Sequence, residues 1–290
     1  MSQTLLLRRE TPVLGGYNRE DYRAYRDWAP AADGTLIPIS VIHRADLDMS
    51  KPHPVIQYGY GSYESSMDPI FSIPMLSILD RGVIYVISHI RGGGKMGRSW
   101  YQNGKKLAKK NTFTDFVDVT SYIAAKPWAD EARIGCYGGS AGGLLMGAVV
   151  NLAPEKYAAC LAAVPFVDAL TTILDPELPL SAMEWEEWGN PIEDPEVYAY
   201  MKSYTPYENI RPVRYPAIAA VTSLHDTRVL YVEPAKWVAA LREQIDPSSP
   251  VPLLKIDMSG GHGGGSGRNT RWREMAWDYA FLMGNLGVTE

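Results

Sequence analysis

The segment Arg133 to Leu152 constrains this chain more than any other. A short apolar run, Arg133 to Tyr137, leads directly into Gly138-Gly139-Ser140-Ala141-Gly142-Gly143, and an apolar helical pattern opens at Leu144. This matches the G-x-S-x-G elbow. In that motif a serine occupies a sharp, strained strand-to-helix turn, small neighbours let the backbone pass close, and the hydroxyl points outward. A glycine-rich turn of this kind can also simply close a tight connection or cradle a phosphate at a helix N-terminus. No lysine follows in the P-loop position, and the glycine spacing does not fit a dinucleotide fingerprint after a first strand, so both phosphate readings weaken.

The rest of the chain supplies the sheet and helices that an elbow needs. Short runs rich in β-branched and apolar residues predict strands at Leu36 to His43, Val55 to Tyr60, Val83 to His89, Arg133 to Tyr137, Ala158 to Val164, Ala217 to Thr222 and Leu253 to Ile256. Helical patterns fall between them at Phe113 to Ala125, Leu144 to Leu152, Glu233 to Glu243 and Arg271 to Met283. This alternation predicts an α/β fold, a mostly parallel sheet with helices on both faces. At 290 residues the chain is long enough for one large domain with a buried core. Residues 1–30 are polar and aromatic, with a break at Gly15-Gly16, and read as an N-terminal arm or edge hairpin leading into a domain over 31–290. Residues 168–212 interrupt the rhythm with Pro, Trp, Glu and Tyr, an excursion expected beside the mouth of the site.

With the elbow as nucleophile, the acid and the base are expected later in the chain, each on a loop after a strand, in the order Ser, Asp, His. Asp226 follows the strand ending at Thr222, and His262 sits among glycines after the strand ending at Ile256. His262 would take the Ser140 proton and return it to the leaving group, while Asp226 fixes the imidazole tautomer. All three in order specify the α/β-hydrolase fold. Of the other histidines, His43, His89 and His225 read as structural. The tetrahedral intermediate needs oxyanion donors, each worth roughly 3 to 4 kcal/mol. One is the N–H of Ala141, and the second is expected from the loop after an early strand, Tyr58-Gly59-Tyr60-Gly61-Ser62-Tyr63, whose tyrosines could instead be packed walls of the pocket.

The net charge of −5 gives no electrostatic reason to bind nucleic acid or an anionic membrane and suits a cationic substrate. The Lys105, Lys106, Lys109 and Lys110 cluster reads as a solvated face. Cys136 and Cys160 lie in short apolar runs and read as small core residues, not as a disulfide or metal pair. No metal-ligand spacing stands out, so hydrolysis without metal or organic cofactor is expected. Met1 to Glu10 lacks the apolar core of a signal peptide, and no run approaches the roughly 18 apolar residues of a membrane span, so a cytoplasmic protein is expected.

Several blocks carry a resemblance to a known family. They are Tyr58-Gly59-Tyr60-Gly61-Ser62-Tyr63, His89-Ile90-Arg91-Gly92-Gly93-Gly94, Asn111-Thr112-Phe113-Thr114-Asp115, the elbow, Val164-Pro165-Phe166-Val167-Asp168, Glu184-Trp185-Glu186-Glu187-Trp188-Gly189-Asn190, and the surroundings of Asp226 and His262. From about Thr4 onward the chain resembles the catalytic domain of the prolyl oligopeptidase family of serine peptidases, and within it the oligopeptidase B group. The resemblance implies cleavage of short peptides after Arg or Lys. It gives Tyr60 the side-chain place in the oxyanion hole, and Arg228 the binding of a substrate carbonyl; on chemistry alone Arg228 would read as a structural ion pair. It makes Glu184 and Glu186 the specificity carboxylates, whereas without it Glu184, Glu186 and Glu187 would read as a solvated face. A buried cation without its partner loses about 3 to 5 kcal/mol, which is why such a pocket holds acids.

Asp68 resembles an acid lining the adjacent subsite, but Ile70 stands where a second acid is usual, so only a weak preference for paired basic residues is expected. Members of the family carry an N-terminal β-propeller over the site. No propeller repeat occurs in these 290 residues, although Leu5 to Tyr22 resembles the junction between the two parts. A surface that faced such a lid would be apolar and open to self-association or to docking of a separate propeller chain. Two other readings remain. A carboxylesterase would use the same triad but gains nothing from two pocket carboxylates; a non-catalytic binding domain would leave Ser140 inert.

Overall fold

The computed structural model describes residues 12–178 and 180–289. Residues 1–11, with the Leu5 to Thr11 part of the junction, lie outside the described residues, as do Pro179 and Glu290. Among the described residues eight strands make one sheet: β1 (Tyr22–Pro30), β2 (Leu36–Arg44), β3 (His53–Gly59), β4 (Ile84–Ser88), β5 (Ala129–Gly139), β6 (Ala159–Ala163), β7 (Ala217–Ser223) and β8 (Leu253–Asp257). Their spatial order is β1-β2-β4-β3-β5-β6-β7-β8. The first two pairings, β1 with β2 and β2 with β4, are antiparallel, and the remaining five are parallel. The sheet is therefore mostly parallel, as its alternating elements predict.

Side chains of successive strand residues point to opposite faces, and the two faces are covered by different helices. Ile84, Val86, Cys160, Ala162, Ile218 and Ala220 pack in one cluster with α3 (Lys110–Ala124), α4 (Ala141–Leu152) and α8 (Val232–Gln244). Their strand neighbours Tyr85, Ile87, Ala159, Leu161, Ala217 and Ala219 pack in a second cluster with α1 (Ile73–Leu79) and α9 (Arg268–Asn285). Four further α-helices are α2 (Arg98–Gln102), α5 (Ala169–Ile173), α6 (Ser181–Trp188) and α7 (Pro195–Lys202), and short 3-10 turns lie between elements. The last three of these helices lie within the excursion at 168–212.

Strand β1 lies within the segment read as an arm. It pairs with β2 along its whole length, from Tyr22 opposite Arg44 to Pro30 opposite Leu36, and forms the edge hairpin of the sheet. Only Ala29 of its residues is buried, so no apolar run or alternation marks it in the sequence. Cys136 and Cys160 are partners on adjacent parallel strands, both buried and both free. Among the described residues no helix is long and apolar enough to cross a membrane, and no cluster of side chains could hold a metal ion.

Candidate active site

The elbow sits at the C-terminal end of β5, near the centre of the sheet. Ser140 adopts φ 59° and ψ −119°, a conformation that side chains other than glycine rarely take. Neighbouring backbone holds it there: Ser140 N–H donates to Ala163 O at 2.8 Å, and its carbonyl accepts from the N–H groups of Gly143 and Leu144. The glycines are required by space. A Cβ at Gly138 would lie 2.4 Å from the Gly142 carbonyl oxygen, and one at Gly143 would lie 2.5 Å from Cα of Pro165. Since backbone cannot yield as a side-chain tip can, Gly143→Ala is expected to destabilise the fold by about 1–3 kcal/mol. Urea unfolding measures this, and an unchanged midpoint would contradict the account.

The loops after β7 and β8 reach the same point. His262 Nε2 lies 3.1 Å from Ser140 Oγ, and its Nδ1 lies 2.7 Å from Asp226 Oδ2. The Asp226 side chain is fully buried, and its Oδ1 accepts from the N–H groups of Arg228 and Val229 at 2.9 and 3.0 Å. Burial pushes the Asp226 pKa up, but the hydrogen bonds from His262 and the two amides outweigh it and hold the carboxyl below its ordinary value. The acid thus stays ionised beside the imidazole. The histidine loop is fastened from both sides: His225 N–H donates to Gly260 O at 3.2 Å, and Gly265 N–H donates to Glu274 Oε1 at 3.0 Å. In this arrangement the imidazole can receive the serine proton while the carboxylate stabilises the cation that results.

A cavity of about 260 Å³ opens beside Ser140 and is lined among others by Tyr60, Ala141, Phe166, Ile173, Glu184 and Arg228. Ala141 begins α4, so its N–H is one of the first-turn donors with no partner inside the helix. Burial, with Glu187 and Glu184 also near, pushes the Tyr60 hydroxyl up to about 12, which keeps it a donor at neutral pH. Glu184 Oε2 accepts from Tyr63 Oη at 2.5 Å and from Trp188 Nε1 at 2.8 Å. Both donors fall on one oxygen, and among the described residues none falls on Oε1.

Two of the residues read as substrate-binding lie elsewhere. Glu186 does not share the cavity; its side chain is 86% exposed and pairs with Lys106 at 3.4 Å. The reason is helical geometry, since residues two apart on α6 point about 200° away from each other. Asp68 is exposed, pairs with Lys95 and does not line the cavity either. Arg228 does line it.

Lys109 departs from the solvated-face reading. It is fully buried, where Nζ donates to Gly61 O, Ser62 Oγ and Gly104 O and pairs with Glu187 Oε1 at 3.3 Å. Burial pushes its pKa down to about 8, against the pull of Glu187. Its neighbours Lys105, Lys106 and Lys110 keep contact with solvent, so composition hid the one that does not. Tyr63, read only as a possible wall, is the hydroxyl that orients Glu184.

Comparison with known proteins agrees with this architecture. A sequence model described as the prolyl oligopeptidase family matches residues 69–289. The chain is 51% identical to "Dipeptidyl aminopeptidase BI" of Pseudoxanthomonas mexicana over 97% of its own length and 38% of that protein. It is 43% identical to "Protease 2" of Moraxella lacunata over 96% of its own length and 40% of that protein. The structure of oligopeptidase B from Leishmania major superposes with a TM-score of 0.92 at 48% identity, covering 95% of this chain and 38% of that one. The chain spans about two fifths of the length of these relatives.

Proposed function

Because the chain belongs to the prolyl oligopeptidase family of serine peptidases, we propose that it hydrolyses peptide bonds on the carboxyl side of arginine or lysine in short peptides. The observation that carries this reading is the carboxylate of Glu184 in the same cavity as Ser140, with Oε1 left open to a cation. An apolar acyl chain would gain nothing from that oxygen; a guanidinium or ammonium leaving water needs it.

In the proposed mechanism Ser140 Oγ attacks the scissile carbonyl carbon as His262 Nε2 takes the hydroxyl proton. The oxyanion accepts hydrogen bonds from Ala141 N–H and the Tyr60 hydroxyl. The imidazolium, stabilised by Asp226, gives its proton to the leaving amine, the C–N bond breaks and an acyl-enzyme ester remains. Water then attacks the ester with His262 as base, the proton returns to Ser140 and the new carboxylate leaves. Arg228 would hold a substrate carbonyl beside the scissile bond.

Steady-state hydrolysis of arginyl and alanyl aminomethylcoumarin substrates tests the assignment. The arginyl substrate is expected to exceed the alanyl one at least about 100-fold in kcat/KM, the scale of a lost charge-assisted contact. Equal turnover, or faster turnover of neutral esters, would favour the esterase reading. The name of the 51% identical relative favours a second reading, removal of dipeptides from a free N-terminus. An N-benzoylated arginyl substrate separates the two, since only an enzyme that needs a free amine would refuse it. With Asp68 bound to Lys95 and outside the cavity, Arg-Arg and Ala-Arg substrates are expected to differ only a few-fold.

A further inference from the structure

We infer that Lys109 is a positioning residue for catalysis: its buried ammonium locks the loop that carries Tyr60 and Tyr63 to the helix that carries Glu184. The inference rests on the peptidase reading above, because the loop and the helix are the oxyanion and specificity walls of that site.

The connections run through four oxygens. Lys109 Nζ donates to Gly61 O at 2.8 Å and Ser62 Oγ at 2.7 Å, the two residues between Tyr60 and Tyr63. It also donates to Gly104 O at 3.1 Å and faces Glu187 Oε1 at 3.3 Å. Glu187 stands three residues after Glu184 on α6, so the two carboxylates are neighbours one turn apart and any shift of one moves the other. The second Glu187 oxygen accepts from Tyr101 Oη at 2.8 Å, which ties α2 into the same point.

The backbone around the ammonium leaves no slack. A Cβ at Gly61 would sit 2.4 Å from Thr112 Cγ2, and one at Gly92 would sit 2.1 Å from the Gly61 carbonyl oxygen. Lys109 is the residue immediately before α3, a helix packed against one face of the sheet. Without the ammonium, the Gly61 carbonyl and the Ser62 hydroxyl lose their strongest donor, and the Tyr60 loop is free to drift relative to Ser140. A misplacement of about 1 Å is enough to cost about 100-fold in rate.

The test separates positioning from simple stabilisation. Lys109→Met alone leaves Glu187 as a buried, unpaired anion and is expected to unfold easily, which says nothing about position. The decisive variant is Lys109→Met with Glu187→Gln, which restores a neutral interior. Folding is followed by thermal unfolding, and the site is read by the second-order rate at which a fluorophosphonate labels Ser140, together with kcat and KM on the arginyl substrate. The double variant is expected to fold near the parent's midpoint, yet to label at least tenfold more slowly and to lose kcat more than it gains in KM. A folded double variant that labels and turns over like the parent overturns the role of Lys109 and leaves the peptidase reading intact. A folded parent that takes up no probe overturns both. A double variant that remains unfolded while Glu187→Gln alone folds and labels normally also overturns the inference, since Lys109 then serves the fold rather than the site.

Discussion

Replacing Ser140 by alanine is expected to lower kcat on an arginyl substrate by about 10⁵- to 10⁶-fold with little change in KM, as when the nucleophile of a serine peptidase is removed. The pocket that binds the side chain is left as it was, while the atom that forms the acyl bond is gone. Glycine at the same position should be equally inactive and more stable. Ser140 holds φ 59°, and releasing a strained non-glycine conformation is worth about 1–3 kcal/mol. Thermal unfolding of Ser140→Ala and Ser140→Gly beside the parent measures both effects. Residual turnover above about one part in 10³, free of contaminating peptidase, would move the nucleophile elsewhere.

Glu184→Gln is expected to reduce kcat/KM for arginyl substrates by about 10²- to 10³-fold, the equivalent of about 3–4 kcal/mol for a buried cation that loses its counter-charge. The amide keeps an oxygen for Tyr63 and Trp188, so the pocket should hold its shape, and neutral substrates should be cleaved as before. Glu186→Gln makes the sharper contrast. Its carboxylate is exposed and partnered by Lys106, so the variant should stay within about twofold of the parent, as surface pairs generally contribute little. Comparable losses in both variants would mean that α6 turns on binding substrate to bring the second acid in.

The elbow and the order Ser, Asp, His were legible because each depends on local chemistry: a strand, a turn that demands glycine, and loops at strand ends. Seven strands were legible from apolar runs of strand length. The edge hairpin was one of two readings of residues 1–30, and what decides between them, like what seals Lys109, is pairing and burial that composition does not carry. The strand Tyr22–Pro30 has one buried residue and is held by its pairing with Leu36–Arg44, a fact that hydropathy does not record. Lys109 differs from Lys110 only in the direction its side chain leaves the backbone, yet one is sealed against Glu187 and the other meets solvent. Glu184 and Glu186 were separable in principle, since a helix through both sends them to opposite sides. That separation needed α6 to be recognised within a segment whose prolines and tryptophans mask its period.

His262, the proposed base, hangs from the far margin of the sheet. Among the described residues strand Leu253–Asp257 has β7 as its sole neighbour, Leu253 is 41% exposed, and none of its five residues is fully buried. Ser140, by contrast, rises from a strand flanked on both sides. Local opening is cheapest where few apolar contacts must be surrendered. The molecule is therefore expected to fail in stages, with strand Leu253–Asp257 loosening first and carrying the imidazole away while Ser140 still stands on an intact centre. Warming should extinguish turnover some degrees before the cooperative melt, and the loss should reverse on cooling. An operating ceiling of that kind would be set by one marginal ribbon and not by the strength of the whole.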